Sequence, residues 1–174
     1  PESLTGSIFY LIHDMNIKAT LFLLIGIIIV ITGTSDLEKI SGLINRYPAL
    51  GWTFFIATAA LAGIPPLSGF AGKLMVVRSG FETENYIGAF VVLMSSLLVL
   101  FSVMRIFIRG FWGTPRAYKN EDKAPVKWLL VAPAILTAFA VLYGFGTEAI
   151  YPVISTAAET LANPEIYINA VLKE

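Results

Sequence analysis

Four stretches of this sequence, about residues 4–32, 48–77, 86–111 and 126–145, are predominantly apolar. Crossing a bilayer as a helix takes about 20 such residues. The composition agrees with that reading. Hydrophobic residues make up 56% of the 174, charged residues only 14%, and the mean hydropathy is +0.76, whereas soluble domains carry roughly 25% charge. The expected fold is therefore an all-α membrane protein: a single unit over 1–174 with about four transmembrane helices and a C-terminal amphipathic tail. The first connector, GTSDLEKISGLINRYP, has the Gly, Ser-Asp and Pro signals of a turn, a short surface helix and a new helix start at Pro48. The tail, 148–174, places Ile150, Val153, Ile154, Ala157, Ala158 and Leu161 at helical spacing. That stripe is short and mixed, which predicts an interfacial or partner-covered helix and no fifth span.

Composition also excludes several functions. Net charge is zero and there is no cysteine, so nothing points to nucleic acid, a disulfide framework or cysteine-ligated metal. The single histidine, His13, cannot hold zinc alone, so no metal site is expected. The chain starts at Pro1 without an initiator Met or a basic n-region. It is expected to be part of a longer protein or a processed one.

Lys and Arg residues predict the orientation, because cytoplasmic loops carry their excess. The connector after the third span holds Arg105, Arg109, Arg116, Lys119, Lys123 and Lys127, and the first connector adds Lys39 and Arg46, against Arg78 and Lys173 on the other side. Both ends of the chain are thus expected outside. Trp52, Trp112 and Trp128 all fall at the predicted cytoplasmic ends of spans, where amphipathic rings collect.

Asp14, Lys18 and Lys73 remain at membrane depth, with His13 beside them. A charge at mid-span costs about 2.5–3.5 kcal/mol on insertion scales, which makes each a functional candidate. Arg105, near a span end, is better explained by snorkelling. Asp14 and Lys18 stand four apart on one helix face, the acid first, an order that suits an ion pair. His13 points about 140° away from Lys18 at 100° per residue. Two readings stay open for the first span: a local Asp14–Lys18 pair, or a proton relay that uses His13 and lysine as titrating groups.

The second span carries AGIPPLSGFAGK, residues 62–73. Pro65 and Pro66 remove two amide donors and clash with the preceding turn, while Gly63, Gly69 and Gly72 permit unusual backbone. A helix discontinuous over Gly63–Gly69 is expected, with Lys73 a turn beyond it. Irregular backbone at membrane depth must be buried in protein or line a hydrated cavity, and broken helices mark ion paths in transporters. The alternative is a proline kink kept for packing, with Lys73 reaching an interface.

HDMNIKATLFLLIG, then GTSDLEKISGL, then AGIPPLSGFAGK, from Ser7 to about Val77, resemble the antiporter-like subunits shared by Mrp-type multisubunit Na+/H+ antiporters, complex I and membrane-bound hydrogenases. The details are most similar to the D-type subunit of the Mrp group. The resemblance implies a C-terminal third of a fourteen-span subunit, containing the second of two broken helices. It implies an outlet role for Lys73, a central-axis role for Lys18, the family's intramembrane histidine at His13, and no defined role for Asp14. The implied function is proton translocation in a multisubunit Na+/H+ antiporter, a secondary transporter and not an enzyme. Its setting would be a membrane hetero-oligomer with other subunits, in a bacterial plasma membrane, handling protons and Na+. No cofactor is expected: there is no cysteine for iron and no GxGxxG for a dinucleotide. The alternatives are a proton-pumping subunit of a complex I-type dehydrogenase or hydrogenase, and a non-conducting membrane scaffold.

Overall fold

The computed structural model describes residues 2–118, 125–163 and 165, and among these there are helices and no strand. α1 is Glu2–Thr32, α2 Leu43–Arg46, α3 Pro48–Ala62, α4 Ser68–Glu82, α5 Tyr86–Phe111, α6 Val126–Leu129, α7 Val131–Phe145 and α8 Thr147–Ala162. Glu2–Thr32, Tyr86–Phe111 and Val126–Phe145 are long and apolar enough to cross a membrane, and Pro48–Ala62 is a shorter apolar helix. Of the orientation charges, Lys119, Lys123 and Lys173 lie outside the described residues, as does the tail beyond Asn163 apart from Glu165.

α1 is the central element and packs against α3, α4, α7 and α8. Its buried stripe runs Thr5, Phe9, His13, Ile17, Thr20, Leu24, Ile27, Ile28 and Ile31, a spacing of three to four residues that keeps one side inward. Toward the α1 C-terminus the stripe enters an apolar core with Leu43, Leu50, Phe54, Phe107 and Phe111. Toward the N-terminus Phe9 stacks on Tyr143 at 4.3 Å between ring centroids, with Ile154 of α8 alongside. His13 thus occupies a core position between two apolar layers.

The first connector has the expected pieces. Asp36 accepts from the Glu38 amide at 3.1 Å to cap a 3-10 turn at Leu37–Lys39, and Pro48 opens α3 at its first turn, where its missing N–H has no intrahelical partner to lose. Tyr118 ties that connector to the one after α5: its hydroxyl accepts from the Ser41 amide at 2.9 Å and donates to the Ser41 carbonyl at 2.7 Å.

The second and fourth expected runs differ in detail. The second is two helices, and its second half continues to Glu82. The break is Gly63–Leu67 and does not extend to Gly69, which is the second residue of α4. The fourth run is divided at Leu130, three residues before Pro133, which has no amide to offer the Leu129 carbonyl. The tail helix α8 is covered from within this chain: Ile154 and Ala158 are buried and the helix packs on α1 and α7.

Candidate functional site

The break is built from its caps inward. α3 ends where Gly63 adopts φ +87°, a left-handed conformation that glycine reaches without a Cβ penalty. The last four carbonyls of a helix lack intrahelical partners, and here all four are satisfied. Gly63 N–H reaches the carbonyls of Ala59 and Ala60, both at 3.1 Å, and Ile64 N–H reaches that of Ala59 at 3.1 Å. The carbonyls of Leu61 and Ala62 accept from Lys73 Nζ at 3.0 and 3.1 Å. The lysine ammonium therefore completes the cap of α3 from the next helix, at the negative end of the α3 dipole. Nζ also stands 5.6 Å from the centre of the Tyr10 ring, within cation–π range. Its side chain runs along Gly63, where an added Cβ would come within 3.1 Å of Lys73 Cδ.

A cleft of about 140 Å3 opens beside Lys73, lined by Tyr10, Lys73, Val76, Val92 and Ser95. One water needs some 30 Å3 of liquid volume, so several fit. Pro65 and Pro66, joined by a cis peptide, are exposed in this chain together with Ile64.

His13 enters the break from α1. The residue is 1% exposed, and its Nδ1 is 2.6 Å from the hydroxyl of Ser68, the first residue of α4. Nε2 is buried with no hydrogen-bond partner. It faces Gly69, where an added Cβ would lie 2.8 Å from Nε2 and 2.2 Å from the Ala60 carbonyl oxygen. Gly69 is thus required for contact and not for chain reversal. The imidazole is held between the end of α3 and the start of α4.

Asp14 and Lys18 form the ion pair expected from their spacing, Oδ2 to Nζ at 2.7 Å. Their side chains differ in exposure: Lys18 is 59% exposed in this chain and Asp14 19%. Asp14 is within electrostatic reach of both His13 and Lys73, and Lys18 is joined to this group through its ion pair with Asp14. Among the described residues no group of His, Cys, Asp and Glu could hold a metal ion.

Sequence reasoning did not single out Ser68, Tyr10 or Asn16. Ser68 sits in PLSGF as a lone hydroxyl at the start of the second half-helix, a signal that was available. Tyr10 lies one turn before Asp14. Asn16, whose Nδ2 donates to the Leu136 carbonyl at 3.0 Å, joins α1 to α7 and needed the tertiary pairing to be seen.

The model of the family described as NADH:quinone oxidoreductase/Mrp antiporter, TM, matches residues 1–99. The chain belongs to this family. Among relatives of this family member, the D-type Na(+)/H(+) antiporter subunit of Bacillus subtilis (strain 168) is 52% identical over 174 residues, covering 100% of this chain and 35% of the relative. The D-type Na(+)/H(+) antiporter subunit of Alkalihalophilus pseudofirmus (strain ATCC BAA-2126 / JCM 17055 / OF4) is 43% identical over 172 residues, 99% of this chain and 35% of the relative. A chain in the solved structure of the Mrp complex from Dietzia sp. DQ12-45-1b superposes with a TM-score of 0.85 at 31% identity, covering 97% of this chain and 40% of that one. The family member is a multi-pass membrane protein, and it spans about a third of the length of the curated relatives it matches. Similarity runs along the whole chain, beyond the Ser7–Val77 region where motifs carried it. The expected placement in a C-terminal third is not kept: the shares covered, 35% of each of these relatives, give a length and no position along them.

Proposed function

We propose that this chain is part of the proton-translocating subunit of a multisubunit Na+/H+ antiporter in a bacterial plasma membrane, working with other subunits and making no chemical bond. The observation that carries the reading is Lys73 Nζ on the carbonyls of Leu61 and Ala62 at 3.0 and 3.1 Å. A cation held by a helix break and a small cleft can change protonation without unfolding its surroundings, because the two carbonyls can rebind water or a capping amide when the ammonium is neutral. Protons pass among His13, Asp14 and Lys73 through water, and Lys18, paired to Asp14, links this group to what lies beyond it. Each site's charge sets its neighbour's affinity for a proton. Connectors one and three face the cytoplasm. The similarity of the chain to subunits named for Na(+)/H(+) antiport favours this over a redox-driven subunit or a scaffold.

The test replaces Lys73 by Ala in the full subunit within the assembled complex. Cation-induced collapse of an imposed ΔpH is then followed in vesicles without an electron donor. Wild type should respond and the variant should fall to background at equal abundance. Two carbonyls lose their donors in Lys73→Ala, but a costly intramembrane charge goes as well, so assembly should survive. Exchange at the wild-type rate by the assembled variant would remove Lys73 from the path.

A further inference from the structure

The candidate path contains a histidine with a single way out. His13 is 1% exposed, its Nε2 has no partner, and that edge of the ring is closed by Gly69 and the Ala60 carbonyl. A backbone carbonyl can accept a hydrogen bond but is far too weak a base to take a proton onward. At the other edge, Nδ1 meets the Ser68 hydroxyl at 2.6 Å, and a hydroxyl both accepts and donates. Ser68 is itself fully buried. It directly follows the break, whose residues Ile64, Pro65 and Pro66 are exposed in this chain. The titratable groups around the ring are Tyr10 and Asp14 of α1 and Lys73 of α4, and none of them has a hydrogen bond to it.

We infer that Ser68 is the residue through which His13 exchanges its proton. The inference rests on the antiporter reading above and adds a proton-carrying residue to that site. In the loading step the hydroxyl proton of Ser68 moves to Nδ1 as a hydronium ion at the break delivers a proton to Oγ. Neutral imidazole becomes imidazolium, hydronium becomes water, and Ser68 is again a hydroxyl. Unloading is the reverse. The step takes the neutral ring as its Nε2–H tautomer, which leaves Nδ1 free to accept from Ser68, so Nε2 keeps its proton throughout and the clamped ring never has to flip. The break then has two tasks at once: its α3 end holds Lys73, and its α4 end presents the hydroxyl that serves His13.

The experiment uses the full subunit in the assembled complex, with exchange rates normalised to complex abundance and measured over a range of Na+ concentrations. Ser68→Ala should lower the maximal rate at least tenfold with the apparent affinity for Na+ unchanged, and Ser68→Thr, which restores a hydroxyl, should return to within about threefold of wild type. Residues acting as one unit do not add, so Ser68→Ala combined with His13→Gln should be no slower than His13→Gln alone. Ser68→Ala at the wild-type rate, or losses that multiply in the double variant, would overturn the inference while leaving the antiporter reading intact. Loss of assembly in Ser68→Ala that Ser68→Thr restores would make the hydroxyl a structural clamp and also overturn it. Wild type with no Na+-driven exchange would refute the antiporter reading, and the inference with it.

Discussion

Replacing Gly69 by Ala adds one methyl group where two half-helices and a histidine converge. The new Cβ would stand 2.2 Å from the Ala60 carbonyl oxygen, 2.8 Å from His13 Nε2 and 3.0 Å from His13 Cε1. Cβ atoms are essentially never found within 3.0 Å of such neighbours, so α3 and α4 must part by at least 0.8 Å, the difference between 3.0 and 2.2. The nearest atom is backbone, and no side-chain rotation relieves it. Overpacking costs about 1–3 kcal/mol, and the better helix propensity of Ala returns roughly 0.5–1. With a contact this short the upper part of the range applies, and the net loss is about 2 kcal/mol. The same displacement pulls on the Lys73 bonds to Leu61 and Ala62, now 3.0 and 3.1 Å, so the side chain must leave its present geometry to keep them. Gly69→Ala should therefore lower both the folded fraction of the complex after graded heating in detergent and its Na+-driven ΔpH collapse. His13→Ala in the same chain should rescue stability only slightly, because the carbonyl contact stays. Wild-type stability and exchange in Gly69→Ala, or full rescue by His13→Ala, would refute the claim that the two helix ends meet through a missing side chain.

Gly63→Ala places a Cβ on a residue at φ +87° and within 3.1 Å of Lys73 Cδ. The left-handed conformation costs about 1–2 kcal/mol, while the lysine end can move, so exchange should suffer more than assembly when both are measured on one preparation. Tyr118→Phe removes two hydrogen bonds to Ser41 at roughly 1 kcal/mol each, which should lower heat resistance in detergent and leave exchange per assembled complex unchanged. For the orientation, single cysteines at Glu38 and Thr156 in the full protein should label from opposite faces of intact cells, Thr156 from outside. Outside labelling of Glu38→Cys would invert the proposed topology.

What the sequence made legible was whatever depends on local chemistry. Helix lengths follow from apolar runs, the Asp14–Lys18 pair from a spacing of four, the start of α3 from Pro48, and the break from Pro65 and Pro66. The far edge of the break was misplaced because glycine has two distinct uses. Gly63 serves backbone conformation, with φ +87°, whereas Gly69 sits in regular helix and serves the approach of α3 and His13. Both read alike in one dimension. Ser68 was missed for a related reason: its meaning depends on His13, 55 residues earlier, and no periodicity connects them. The division of the fourth run at Leu130 was available from Pro133, which a count of apolar residues ignores.

Small residues connect these features. Where Gly6 meets Met75, Gly72 meets Tyr10 and Gly144 meets the carbonyl of Pro66, an added Cβ would come within 3.0 Å or less of its neighbour. α1 and α7 are thereby drawn onto both sides of the broken helix. Close backbone approach is a general means of association where lipid tails give no hydrophobic drive between helices. Here it has a second effect. Pressing α1 onto α4 at Gly72 puts Tyr10 beside Lys73, and pressing α7 onto the break at Gly144 fixes the chain immediately before Ser68. The ammonium is then satisfied by carbonyls and a ring face rather than by a carboxylate. A lysine held by neutral acceptors can give up its proton without breaking an ion pair. That difference separates Lys73 from Lys18, which does have a carboxylate partner at 2.7 Å, and it is why removal of Lys73 tests proton release at the break more directly than removal of either member of the Asp14–Lys18 pair.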